Sequence, residues 1–382
     1  MSTKCPHCFV TLSTDYAMTC RNRCSTKPDE RASLLYGAPV ETAPIGRFQG
    51  PDDPNWQPDL PPCPSCNGPL VECCPRCHMV FPPNWRQGVA TCIALAGARA
   101  TGKSVYIGVL VKLLELFADA HGTTVEFADG ASRQMYENVY EKPLFEARGI
   151  IPPTPRATTA DSYQRQPIIL SLGMLGGVRR YLVLRDVAGE DLENRVDGQA
   201  HLGFFEHAST VLFLFDPTRV PEVANQLQDL IPAQLHEGGD PAVVLNNLNL
   251  LIGQGRPRLG VVLSKFDTMQ TLTQVADTAL SRIMSNAGAA FMRDPGTRMA
   301  GYDEADGGLL HAEVRSLLER LRAGRIVTAV ERPHTGYPLE HRFFVASALG
   351  APTRGETLHN HGIASFRCLD PVRWTLRAEG AI

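Results

Sequence analysis

The chain has 382 residues, 43% apolar and 20% charged, enough to bury at least one sizeable core and too apolar for long disorder. Lysine and arginine (37) nearly balance aspartate and glutamate (40), and the formal charge of −3 argues against attachment to nucleic acid through a broad basic surface. No apolar run reaches the ~20 residues that span a bilayer. Met1-Ser2-Thr3-Lys4-Cys5 has neither a signal-peptide stretch nor a myristoylation glycine, so a cytoplasmic protein is expected.

Cysteine dominates the start of the chain. Nine of the 11 cysteines lie before residue 80, and without a signal sequence their Cys-x-x-Cys spacings point to metal rather than disulfides. Cys63-Pro-Ser-Cys66 and Cys74-Pro-Arg-Cys77 form two knuckles close in sequence, four thiolates suited to one tetrahedral Zn²⁺. Cys5-Pro-His-Cys8 with Cys20 and Cys24 offers a second, looser site, with His7 as an alternative ligand. Cys73 then stands outside the knuckles, and Cys92 reads as a buried small hydrophobe. Each Zn²⁺ with four thiolates carries a net −2, so two such sites take the formal charge from −3 to −7, further from nucleic acid. The expected organisation is a zinc knuckle module over 1–30, a proline-rich linker over 31–61 and a zinc ribbon over 62–87. Such zinc pieces serve structure, and protein docking or dimerisation.

From Val89 onward, short apolar runs alternate with amphipathic segments. The runs cover 89–96, 123–128, 167–172, 181–185, 210–215, 259–263 and 342–346. Helical patterns fall near 103–119, 131–147, 199–207, 219–236, 270–290 and 311–322. This alternation predicts an α/β fold with a mostly parallel sheet flanked by helices, over 88–350. The runs at 167–172 and 181–185, joined through Gly173, Gly176 and Gly177, read as a hairpin that places one antiparallel strand at the sheet edge. Segments 237–257 and 292–310 read as long loops. The tail, 351–382, carries a short packing helix over Pro371–Ala378.

The chemistry is written between the first run and the first helix. Gly97-Ala98-Arg99-Ala100-Thr101-Gly102-Lys103-Ser104 fits G-x-x-x-x-G-K-[ST], with Val105 opening the helix. Glycines at 97 and 102 let main-chain amides turn inward around phosphate oxygens, and the helix N-terminus adds partial positive charge. Lys103 would reach the β- and γ-phosphates, and the Ser104 hydroxyl would ligate Mg²⁺. Downstream, a strand delivers Asp186-Val187-Ala188-Gly189, a D-x-x-G in which Asp186 joins the Mg²⁺ shell and the Gly189 amide meets the γ-phosphate. After the run at 259–263 comes Ser264-Lys265-Phe266-Asp267, similar to the [N/T]-K-x-D guanine signature with serine at its first position. There Asp267 accepts from guanine N1 and the exocyclic amine, a donor pair adenine lacks, while the Lys265 stem covers the base. Ser347-Ala348-Leu349 matches the loop whose amide contacts guanine O6.

In this order the four motifs resemble a P-loop GTPase of the Ras-like, translation-factor-related class, and among these the bacterial double-GTPase (double-GTPase 2 type) family, whose GTPase domains occur with zinc-binding ends. That family is associated with multi-gene conflict or signalling systems. The resemblance implies a Mg²⁺-dependent switch cycling between GTP and GDP, with protein effectors met through the zinc module or the switch regions. It also implies a metal-binding threonine between the first helix and the D-x-x-G. Thr154, between prolines, is the first candidate, and Thr158 and Thr159 are alternatives. Glu190 stands where Ras-like enzymes carry glutamine, and Arg99, Arg148 and Arg156 are candidates for a stabilising arginine in cis. The expected activity is therefore slow, partner-dependent GTP hydrolysis. The alternatives are a P-loop ATPase or kinase, and a nucleotide-locked scaffold with little hydrolysis.

Overall fold

The computed structural model describes residues 3–21, 24–53, 55–56, 58–159, 162–194, 198–227, 238–274, 279–297, 301–351 and 357–382. In chain order the cysteine-rich part contains β1 (Asp15–Cys20), β2 (Lys27–Pro28), helix α1 (Glu30–Tyr36), β3 (Glu41–Thr42), β4 (Ile45–Gln49) and β5 (Leu70–Cys73). β1 pairs antiparallel with β4 on one side and β5 on the other, and β2 pairs with β3. A single sheet thus draws on all three expected segments, 1–30, 31–61 and 62–87. The segment read as a proline-rich linker over 31–61 holds most of α1 and both β3 and β4. Asp29 organises this stretch: its carboxylate caps α1 through the Ala32 amide (2.9 Å) and accepts from Thr42 Oγ1 (2.9 Å) and His78 Nδ1 (2.5 Å). Proline density marked extended connections but hid the cap between them.

The larger sheet comprises β6 (Gly88–Ala96), β7 (Glu126–Phe127), β8 (Ile168–Leu175), β9 (Val178–Arg185), β10 (Thr210–Phe215), β11 (Arg258–Leu263) and β12 (His341–Val345), in the order β12-β11-β10-β6-β9-β8-β7. β6, β9, β10, β11 and β12 are mutually parallel. Their runs are almost wholly buried, as strands covered on both faces must be. β8 and β9 form the expected hairpin, turned through Gly176 and Gly177, both at positive φ (60° and 75°), the conformation a two-residue connection between twisted strands requires. The antiparallel β8 is not the edge strand, because the two-residue β7 pairs outside it. A bulge between Ser171 and Met174 absorbs Gly173.

Helix α2 (Lys103–Ala120) follows the phosphate loop and buries Ile107, Leu110, Val111, Leu114 and Phe117 against the sheet. The expected loop 237–257 instead contains a helix, Pro241–Ile252, started by Asp240, whose carboxylate accepts from the Ala242 amide at 2.9 Å. The second half of the expected loop 292–310 likewise opens a helix, Glu304–Arg320, capped by Asp303. The pattern at 131–147 becomes Gly130–Tyr136 continued by a π-helical stretch, Glu137–Glu146, which accommodates Pro143. The patterns at 219–236 and 270–290 are helical over Pro221–Leu227 and Ala279–Met284, and residues 228–237 and 275–278 lie outside the described residues. The tail is built into the domain: its helix, Asp370–Ala378, sets Trp374 against Phe344 (5.7 Å between ring centroids), and the Cys368 carbonyl accepts from Tyr106 Oη at 2.7 Å.

Burial alone would raise the Asp29 carboxyl, but the hydrogen bonds from Ala32, His78 and Thr42 overcome it and hold the group below its ordinary value. Its contribution is therefore complete above the unfolded carboxyl range and is lost as pH falls through the lower folded-state value. Asp29→Ala should cost ~1–2 kcal/mol in urea unfolding at neutral pH. An unchanged midpoint would mean that 31–61 is attached to the unit only as a tether.

Candidate functional site

Five parallel strands end on one side of the sheet, where ligands of open α/β sheets bind. The phosphate loop follows β6, Asp186-Val187-Ala188-Gly189 follows β9, Asp216 follows β10, Ser264–Asp267 follows β11 and Ser347-Ala348 follows β12. Each motif read from the sequence thus reaches the same edge.

In the loop, Gly97 (φ 144°), Ala100 (φ 56°) and Gly102 (φ 84°) adopt positive φ, which turns the chain back on itself ahead of α2. A side chain on Gly97 would strike the Leu214 carbonyl at 2.1 Å, so the loop also packs directly on β10. Lys103 is buried within the loop, its Nζ donating to the Gly97 and Ala98 carbonyls, both at 2.8 Å. Burial pushes its pKa down to about 8, against the opposing pull of Asp186 and Glu193. Thr101 Oγ1 donates to the Ala98 carbonyl (3.0 Å), closing the turn. The Arg99 amide donates to Glu193 Oε1 at 2.7 Å, so a loop N–H already faces a carboxylate oxygen.

The three candidate Mg²⁺ ligands converge. Ser104 Oγ donates to Asp186 Oδ2 at 2.8 Å, Thr154 Oγ1 donates to the same oxygen at 3.0 Å, and the two hydroxyls lie 2.8 Å apart. Thr158 and Thr159 are exposed and take no part. Asp186 Oδ1 is buried with no hydrogen-bond partner. Desolvation raises its carboxyl, and the Lys103 charge works against that rise. Two hydroxyls, a carboxylate and an orphaned carboxylate oxygen form an all-oxygen set, the donor chemistry Mg²⁺ takes alongside phosphate. Gly189 admits no side chain, since a Cβ there would lie 2.3 Å from the Arg99 nitrogen.

Glu190 bridges two of the three candidate arginines. Arg99 Nη2 lies 2.5 Å from Glu190 Oε1, and Arg156 Nε pairs with Oε2. Arg148 is exposed, and its carbonyl accepts from the Leu358 amide at 3.0 Å. One carboxylate therefore ties the phosphate loop, the Thr154 segment and the D-x-x-G helix together.

At the end formed by β11 and β12, Asp267 is buried and its Oδ1 accepts from Ser347 Oγ at 2.5 Å. Desolvation raises its carboxyl, and the Ser347 hydrogen bond opposes the rise. Lys265 takes φ 50° and lays its Nζ 3.2 Å from the buried Asp216 Oδ2. The Ser264 hydroxyl, where the signature has Asn or Thr, is buried without a partner. Ala348 is half-buried beside Ser347, whose carbonyl accepts from Cys368 Sγ at 3.3 Å.

Three supporting residues escaped the sequence reading. Gln164 is buried, accepting from the Ala188 amide (2.8 Å) and donating to Asp191 Oδ2 (2.8 Å), so it fixes the backbone of the D-x-x-G. Tyr163 sets its hydroxyl beside Ser104 and Thr154, and burial pushes it up to about 12. Asp216 had a usable signal, an aspartate directly after an apolar strand. Gln164 and Tyr163, in a loop, had none.

The eight metal-candidate cysteines form two tetrads, paired differently from their order in the chain. Cys5 and Cys8 meet Cys74 and Cys77; Cys20 and Cys24 meet Cys63 and Cys66. The expected sets, Cys5/8/20/24 and Cys63/66/74/77, are not formed. β1 runs antiparallel to β5, so Cys20, at its far end, is carried to the Cys63 knuckle and away from Cys5. Within each tetrad the sulfurs all lie within 4.8 Å of one another, with Cys5–Cys77 at 3.6 Å and Cys8–Cys74 at 3.7 Å in the first, and Cys20–Cys66 at 3.2 Å and Cys24–Cys63 at 3.4 Å in the second. Disulfide sulfurs lie at ~2.05 Å, whereas Zn–S bonds of ~2.3 Å in a tetrahedron separate the sulfurs by about 3.8 Å. Both tetrads fit zinc. Cys73 belongs to neither, and the His7 ring stacks on Tyr36 at 3.8 Å instead of joining a tetrad. The double variant Cys5→Ser/Cys77→Ser should therefore keep one bound zinc per chain, and Cys5→Ser/Cys20→Ser none, by elemental analysis. The reverse result would restore pairing by chain order.

A profile of the Double-GTPase 2 family matches residues 91–321. Over 391 aligned residues the chain is 47% identical to "Putative ESX-1 scaffolding and assembly protein SaeC" of Mycolicibacterium smegmatis, covering 99% of this chain and 100% of that one. Among solved structures, a bacterial selenocysteine-specific elongation factor EF-Sec matches at 14% identity and TM-score 0.26, over 68% of this chain and 25% of its own. The Ski7 GTPase-like domain of S. cerevisiae, bound to GDP and inorganic phosphate, matches at 9% identity and TM-score 0.36, over 78% of this chain and 51% of its own. This chain thus spans a quarter of the one and about half of the other. On the profile match and the near-full-length relative, the chain belongs to the Double-GTPase 2 family.

Proposed function

We propose that the chain is a guanine-nucleotide switch that hydrolyses GTP slowly with Mg²⁺, and that its zinc-stabilised N-terminal unit docks protein. The observation that carries this reading is the convergence of Ser104, Thr154 and Asp186 on one point beside the buried Lys103. A triphosphate entering the loop exchanges carbonyl contacts of Lys103 for phosphate oxygens, and the amides around Gly97–Gly102 complete the cradle. Mg²⁺ held by Ser104, Thr154 and Asp186 neutralises phosphate charge when bound. Thr154 reaches that point from an extended proline segment, so its engagement would report which nucleotide is present, as a switch requires.

Guanine rather than adenine fits the base end. Asp267 is desolvated and presented by Ser347, and a buried carboxylate left without the N1–H and amine donors of guanine is costly. Lys103→Ala should abolish binding of fluorescent GDP. Asp267→Asn should weaken GTP by about a hundredfold or more and improve xanthosine triphosphate, because the amide's N–H matches the additional base carbonyl. Displacement of bound fluorescent GDP by equimolar ATP as readily as by GTP would point to the ATPase or kinase reading.

Slow turnover follows from Glu190. Its carboxylate stands near the γ-phosphate position, where like charge opposes it, and it occupies Arg99 and Arg156, the arginines able to stabilise transferring phosphate. The same clamp favours a second reading, a nucleotide-locked scaffold, which accords with the scaffolding and assembly role in the printed name of the M. smegmatis relative. Glu190→Gln removes the repelling charge and frees both arginines, and should raise single-turnover phosphate release at least about tenfold. A fall in rate would identify Glu190 as the group that orients water.

A further inference from the structure

The two tetrads sit differently in the fold. The outer one, Cys20/24/63/66, closes the far end of the small sheet. The inner one, Cys5/8/74/77, is continuous with the core of the nucleotide domain. Around it Lys4 Nζ donates to the His207 carbonyl (2.8 Å), Trp85 Nε1 donates to the Lys4 carbonyl (2.9 Å), and Trp85 stacks on Tyr181 of β9 at 4.5 Å.

One residue joins this tetrad to the nucleotide site. Arg185 ends β9 and directly precedes Asp186. Its Nη1 donates to the His7 carbonyl at 2.5 Å, inside the Cys5–Cys8 knuckle, and its guanidinium lies 3.8 Å over the Phe204 ring. It is 3% exposed, and its hydrogen bond to the His7 carbonyl brings the buried guanidinium against the Cys5/8/74/77 tetrad. A buried guanidinium requires a compensating charge. A loaded four-thiolate zinc carries a net −2 and supplies one, whereas four neutral thiols do not. Arg185 and Cys8 line one small cleft, together with Arg76, His201 and Phe204.

We infer that Arg185 is a positioning residue that couples the inner metal tetrad to the Mg²⁺-nucleotide site, so that metal in Cys5/8/74/77 holds Asp186 in register with Ser104 and Thr154. This rests on the guanine-nucleotide reading above. The outer tetrad lies outside the core cluster that holds Cys5, Cys8, Cys74 and Cys77, and is expected to be energetically separate.

Coupling between two binding sites is reciprocal, so the wild-type full chain tests it without mutation. In competition with a zinc-selective chelator, saturating Mg·GDP should tighten one of the two zinc ions several-fold and leave the other unchanged. No change in either would overturn the inference. Arg185→Met should weaken Mg·GDP about tenfold or more, shrink the ratio of GDP affinity with and without Mg²⁺, and loosen one zinc; Arg185→Lys, which keeps the charge, should recover the zinc affinity. The control Cys20→Ser/Cys66→Ser should lose one zinc and keep Mg·GDP affinity. An equal loss of nucleotide affinity in that control, or wild-type nucleotide affinity in Arg185→Met, would defeat the coupling. Should the wild type bind no nucleotide, the guanine-nucleotide reading fails by itself, and a zinc affinity in Arg185→Met equal to wild type then removes the charge-pairing argument as well.

Discussion

A single buried ammonium organises this molecule. Lys103 sits at the start of α2 with two loop carbonyls as its closest partners, in a setting that depresses its pKa. Carbonyl dipoles alone are poor compensation for a desolvated charge. What makes the position tolerable is the pair of carboxylates near it, Asp186 and Glu193, whose charge acts against the desolvation. The loop's backbone positions exist because β6 ends against β10 and Gly189 approaches the loop too closely for any side chain. The fold is therefore arranged to receive a polyanion, and the surrounding strands fix its geometry.

The end formed by β11 and β12 follows the same principle with opposite sign. Asp267 and Asp216 are buried carboxylates, one presented by Ser347 and the other facing Lys265. Cys368 supports the Ser347 carbonyl from the tail, and Tyr106 of α2 bonds the Cys368 backbone. A chain of contacts thus runs from the phosphate-loop helix through the C-terminal segment to the Ser347 loop. That explains why the tail is packed into the domain and not appended to it.

Much of this was legible because strand-end motifs are local. Glycine spacing, a lysine and a hydroxyl identify a phosphate loop wherever the strand and helix flank it, and D-x-x-G gained meaning from the buried β9 before it. Metal pairing was not legible for a different reason. Four similar Cys pairs can be matched in several ways, and the spacing of each knuckle is silent on its partner. Only the antiparallel register of β1 against β5 decides that Cys5 meets Cys77. Nor did sequence find Pro241–Ile252, where Asn246, Asn247 and Asn249 interrupt the apolar pattern, although Asp240-Pro241 is a helix start. Asn249 turns out to be buried and bonded to the Ala329 carbonyl, and Asn247 to the Leu192 carbonyl. Polarity that reads as loop here joins helix to helix.

The arrangement of charge around Glu190 bears on how such a site can be both stable and responsive. Arg99 and Arg156 are each nearly half exposed, so their pairing with Glu190 is screened and individually weak. Weak contacts suit a latch, because a γ-phosphate in the same place offers more charge to the same arginines. Arg185, one residue before Asp186, is the reverse: it is buried, and its hydrogen bond to the His7 carbonyl is shielded from water. The D-x-x-G segment thus has a solvent-facing end, where Glu190 pairs with Arg99 and Arg156, and a buried end, where Arg185 meets the Cys5–Cys8 knuckle. Under the proposed switch reading, a nucleotide-dependent change acts on the exchangeable end, where Thr154 and Glu190 meet solvent, and not on the buried Arg185 end.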